Sequence, residues 1–77
     1  MLFLIEYDRR RGQIVTFQTY PDTQREKAGE ARLTMELKLR GEGIEREVVM
    51  LEAASEEALR KTHRRYFETL NTLAKAS

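Results

Sequence analysis

Residues 31–40 read ARLTMELKLR, and the fold turns on whether this stretch is strand or helix. Ala31, Leu33, Met35, Leu37 and Leu39 alternate with polar residues, which is the period of a strand. On that reading residues 32–39 and 44–52 form a hairpin across Arg40-Gly41-Glu42-Gly43. At helical period, Ala28, Ala31, Met35 and Leu39 share one stripe, while Leu33 and Leu37 fall on nearly the opposite side. Two features favour the helix. No β-branched apolar residue occurs between 24 and 43, and Gly41 or Gly43 supplies a C-terminal cap. A helix here leaves Leu33 and Leu37 as a second apolar stripe. One small sheet cannot cover it, so another helix or another subunit is needed.

Upstream, LFLIEY (residues 2–7) and QIVTFQTY (residues 13–20) are rich in β-branched and aromatic residues and read as strands. Gly12 suits the left-handed position that closes a three- or four-residue hairpin loop. A three-residue loop places Phe3, Ile5, Tyr7, Val15 and Phe17 on one face, and Leu2, Leu4, Ile14, Thr16 and Gln18 on the other. Pro21 ends the second strand because it lacks the N–H a ladder needs. Thr23-Gln24-Arg25-Glu26 then matches a capping box, so a helix is predicted from about residue 23.

Downstream, residues 44–53 (IEREVVMLEA) contain VVML, apolar on both faces, and read as a strand buried on two sides. Ser55 is the natural N-cap of a last helix, with Glu56 and Glu57 in its first turn where the helix dipole favours them. The pattern carries that helix to about residue 75. The order is therefore ββαβα, an α+β single domain over residues 1–77. The first and third strands are the most apolar, which gives the sheet order 2-1-3. Both helices are expected on one face of that three-stranded sheet, with a right-handed crossover into the third strand.

A chain of 77 residues buries only about 60–65% of its unfolded surface, so its core is small. Domains of this size commonly add disulfides, a metal or a second subunit. The absence of cysteine removes disulfides and thiolate metal sites, and a single histidine removes a His-rich zinc site, so no cofactor or metal is expected. Oligomerisation is left. With 14 basic against 13 acidic residues, net charge makes no general case for nucleic acid or membrane. MLFLI at the front is too short for a signal peptide and meets Glu6 and Asp8 at once, and no stretch approaches the roughly 18 apolar residues of a membrane span. A cytoplasmic protein is the expectation.

THRRYF (residues 62–67) holds the one histidine beside two arginines and two aromatics. On a continuous helix His63, Tyr66 and Phe67 face inward and Arg64 and Arg65 outward. His63 then reads as a buried or half-buried residue hydrogen-bonded to a carbonyl or carboxylate. A catalytic base would need a substrate or nucleophile in reach and an orienting group, which the sequence does not name. Glu56–Arg60 and Glu57–Lys61 are i,i+4 pairs in the favourable order, the mark of a solvated face. Glu6 and Asp8 are expected to pair locally with the arginines of the hairpin tip. No G-x-G-x-x-G, P-loop or H-E-x-x-H motif is present.

The segment EVVMLEAASEEALRKTHRRYF (residues 47–67) resembles small uncharacterised bacterial proteins of similar length, which also carry an I-E-Y-D-R-x-x-G-like hairpin at the front. The resemblance implies a stand-alone bacterial domain and carries over no functional residue. More loosely, a strand followed by S-E-E-A-L is similar to many ferredoxin-like βα units, a pattern silent on function.

Two functional expectations follow. The first is a non-enzymatic module that forms a homodimer or binds another protein through surplus apolar surface at Leu2, Leu4, Ile14, Leu33, Leu37, Val49 and Leu51. The alternative is RNA or DNA binding through Arg9, Arg10, Arg11, Arg60, Lys61, Arg64 and Arg65. Against the alternative, residues 42–57 hold six acids and one arginine, and exposed aromatic platforms for stacking bases are missing.

Overall fold

The structure, a computed structural model, describes residues 1–67. Its elements are β1 (Leu2–Asp8), β2 (Gln13–Tyr20), α1 (Arg25–Gly41), β3 (Glu47–Glu52) and α2 (Glu56–Thr62), with short 3-10 turns at Asp22–Gln24 and Arg64–Tyr66. The strands form one antiparallel sheet in the order β2-β1-β3, so the ββαβα topology is the one the sequence predicts.

The ambiguous stretch 31–40 is helical throughout. Ala28 and Leu39 are buried and Ala31 and Met35 half-buried, the stripe expected of a helix. Gly43, at φ +68°, ends it. The Gly43 N–H donates to the Arg40 carbonyl at 3.1 Å and the Ile44 N–H to the Leu39 carbonyl at 2.9 Å, the paired bonds of a Schellman cap. The N-terminus differs from the expectation. Thr23 is taken into the 3-10 turn after Pro21, so α1 starts at Arg25 behind Gln24, which makes no side-chain cap, and the capping box does not form.

The hairpin closes with four residues between Asp8 and Gln13, and Gly12 stands at φ +64°. Asp8 Oδ1 accepts the Arg10 and Arg11 N–H groups at 3.0 and 3.1 Å. The fourth loop residue shifts the near end of β2 by one place, and a bulge between the Glu6 and Tyr7 pairings restores the register. Tyr7 therefore pairs with Ile14 and Ile5 with Phe17. Ile14 moves onto the core face and Val15 is turned out to 47% exposure, the reverse of the three-residue-loop reading.

Each face of the sheet carries one helix, which corrects the expectation of two helices on one side. Phe3, Ile5 and Tyr7 cluster with Leu59 of α2 and with Tyr66, joined by Ile14, Phe17, Val49, Leu51, Ala53 and Phe67. Leu2, Leu4 and Glu6 alternate onto the opposite face, and there α1 lies across them. Its Ala31, Met35, Lys38 and Leu39 border the same groove as Glu6, Thr16, Gln18 and Tyr20. The cover explains why Leu2 is 2% and Leu4 0% exposed.

The last helix is shorter than predicted. Ser55 caps it, its side chain accepting the Ala58 N–H at 3.1 Å, but α2 ends at Thr62. Thr62 Oγ1 donates back to the Ala58 carbonyl at 3.0 Å, and His63 leaves helical geometry at φ −124°, ψ 50°. The break folds the chain back on the sheet. Tyr66 meets Tyr7 edge-on with centroids 5.1 Å apart, and Phe67 meets Phe17 at 5.8 Å. The expected continuation to residue 75 lies, beyond residue 67, outside the described residues.

Candidate interaction surfaces

Of the seven apolar residues expected at an interface, five are absorbed by the fold. Leu2 and Leu4 lie under α1, while Ile14, Val49 and Leu51 pack against the aromatic core under α2. The reason is that the helices take opposite faces, so neither face of β1 is left over. Leu33 and Leu37 remain, at 57% and 56% exposure, one turn apart on the outer side of α1. Val15 and Ile44, which the sequence reading left out, are exposed as well. The bulge that turns Val15 out leaves no mark in the sequence.

A groove of about 650 Å³ runs between α1 and β2, because α1 leans toward β1 and β3. Val15, Thr16, Gln18 and Tyr20 line one wall and Ala31, Thr34 and Met35 the other. Its floor holds Glu6, which is buried and hydrogen-bonded by Thr16 Oγ1 at 2.8 Å and Arg46 Nη1 at 2.5 Å. Glu6 thus pairs across the fold with Arg46 rather than with the hairpin arginines. A buried carboxylate fully occupied in this way is structural.

Most of the expected basic set is ion-paired, in separate groups. Arg9 and Arg65 converge on Glu47, with Nη2 atoms 3.4 and 3.1 Å from its Oε1. Arg65 also donates to Tyr66 Oη at 2.6 Å and stacks 4.3 Å over that ring. Burial pushes the Glu47 carboxyl up, but the bonds and charge of Arg65, with Arg9 adding, hold it below the ordinary value near 4.5. The same bond raises the Arg65 guanidinium, and burial raises the Tyr66 hydroxyl. Arg60 stands 3.7 Å from Glu56 and 4.5 Å over the Phe67 ring, and Lys61 is 3.4 Å from Glu57. Arg11 lies 3.9 Å from Asp8. Arg10 and Arg64 are exposed. A polyanion would have to displace most of these carboxylates.

His63 is half-buried, its ring 6.4 Å from that of Tyr66, and it makes no side-chain hydrogen bond among the described residues, contrary to the expected carbonyl or carboxylate partner. Among the described residues no three of His, Asp and Glu gather as a metal site requires, and no helix is long and apolar enough to cross a membrane.

The outer face of α1 therefore stands apart, as apolar surface on a long helix with no cover among the described residues. Glu30 and Arg40 flank the two leucines and are exposed, with no ion pair among the described residues. The sequence reading passed over both, although the 3-4-3 spacing of residues 30, 33, 37 and 40 is visible in the chain. No family model, curated protein or solved structure matches this chain.

Proposed function

We propose that this protein is a non-enzymatic interaction module that works as a homodimer or docks a protein partner through the outer face of α1. The observation that carries the reading is the exposure of Leu33 and Leu37 above half on a helix whose inner stripe already serves the fold. A small domain gains nothing for its own core from two leucines there, and exposed apolar patches usually mark interfaces. The paired state of Arg9, Arg60, Lys61 and Arg65 supports this reading over the nucleic-acid alternative, which instead requires salt-sensitive binding to mixed oligonucleotides.

Light scattering after size exclusion tests the homodimer. The wild-type mass rises from 9.1 kDa toward twice that value as concentration climbs through the micromolar range. The Leu33→Asp/Leu37→Asp variant stays at 9.1 kDa and keeps the wild-type circular dichroism spectrum. A wild-type chain that remains a monomer throughout sinks the homodimer.

A further inference from the structure

The outer face of α1 is complementary to itself when reversed. At 100° per residue Glu30, Leu33, Leu37 and Arg40 fall within about 80° of one another, centred opposite the buried Ala28–Leu39 stripe. Residue spacings of three, four and three form a short heptad seam. All four side chains are exposed.

We infer that two copies of this chain pair through α1 in an antiparallel, two-fold arrangement centred on Met35, with Leu33 against Leu37 and Glu30 against Arg40 of the second copy. This rests on the homodimer reading and adds its register. The symmetry does the arithmetic. Positions 33 and 37, and positions 30 and 40, are equidistant from residue 35, so one two-fold axis satisfies both pairs twice. A parallel pairing fails on charge, since it sets Glu30 against Glu30 and Arg40 against Arg40. Neither charge has a partner within its own chain among the described residues, so the dimer contact breaks no intramolecular bond at these positions. By contrast, the neighbouring Arg32 is already paired with Glu36 at 3.0 Å on the flank of the helix. The second copy is favoured over an unrelated partner because the stripe contains both halves of the complementary pattern. One helix pair of this length falls below the roughly 1,200 Å² of standard interfaces, so the dimer is weak and concentration-dependent.

Charge reversal with sedimentation equilibrium at low salt is the test. Glu30→Arg and Arg40→Glu each turn two attractions into two repulsions and weaken dimerisation by about tenfold. The double variant E30R/R40E restores the pairing with its polarity reversed and returns to within about threefold of wild type. Equimolar E30R and R40E chains form a mixed dimer tighter than either alone. The single-variant losses shrink in high salt. Circular dichroism of each variant matches wild type, since both positions are exposed, and recovery in the double variant excludes a folding defect.

If wild type dimerises but the single reversals leave the equilibrium unchanged, the antiparallel register is wrong while self-association stands. If the double variant is as weak as the singles, the register is likewise overturned. A wild-type monomer at every concentration removes both.

Discussion

At one end of the sheet Glu6 and Glu47 stand on neighbouring strands, one register step apart and on opposite faces. Each is held by arginine, yet the two sites are built differently. Glu6 lies buried on the floor of the groove beside α1, whose buried contribution is Ala28 and Leu39, and its charge is met inside the fold by Arg46 and Thr16. Glu47 lies at the rim of an aromatic core, and its arginines come from the hairpin loop and from the turn after α2. The difference follows from the helices. The long α1 covers its face with a narrow stripe, so a buried charge there needs its own partner, and its outer leucines are left over. The short α2 ends early, and Tyr66 and Phe67 from the turn after it complete the cover of its face.

Breaking the Glu6 site should have the largest effect. Arg46→Ala leaves a buried carboxylate with only Thr16, and a loss of about 2–3 kcal/mol is expected once the partial exposure of Arg46 is discounted. Urea unfolding measures it. A loss below about 1 kcal/mol would mean that water reaches Glu6 and that the two sites differ less than their burial suggests.

An intermediate effect is expected where α2 begins. Ser55→Ala removes the acceptor for the Ala58 N–H and should cost about 1 kcal/mol. The loss reads out as a lower urea midpoint with an unchanged slope, because the folded state keeps its compactness.

The smallest effect belongs to the rim. Glu47→Gln should cost about 0.5–1 kcal/mol at neutral pH, since Arg9 and Arg65 are largely exposed and solvent screens them. The folded carboxyl titrates below its ordinary value near 4.5, so the contribution is complete above that pH and is lost as pH falls through the lower folded value. Wild type and variant should therefore converge in stability in acid. A gap that does not narrow as pH falls below that ordinary value would point to packing rather than charge as the role of Glu47.

Much of the fold was legible because local rules decided it. The strands announce themselves by composition, and Gly12 and Gly43 mark the two positions where the backbone turns left-handed. Ser55 caps as its position implies. The strand-like alternation at 31–40 misleads because α1 carries apolar residues on two sides: Ala31, Met35 and Leu39 serve the fold, and Leu33 and Leu37 face away from it. Of the candidate interface, the sequence pattern isolated those two leucines correctly as a stripe apart. It could not show that Leu2 and Leu4 are covered, because that depends on which side of the sheet α1 crosses.

Composition, turn chemistry and hydrophobic period by themselves determined an α+β chain of order ββαβα with β1 central, since each acts within a few residues. Tertiary structure decided the placement of α1 and α2 on opposite faces, the bulge that exchanges Ile14 and Val15, and the end of α2 at Thr62. Those outcomes depend on contacts between residues far apart in the chain. Tyr66 meets Tyr7 edge-on, 59 residues away, once the helix has ended, and Glu6 can be buried because Arg46, forty residues away, arrives to meet it.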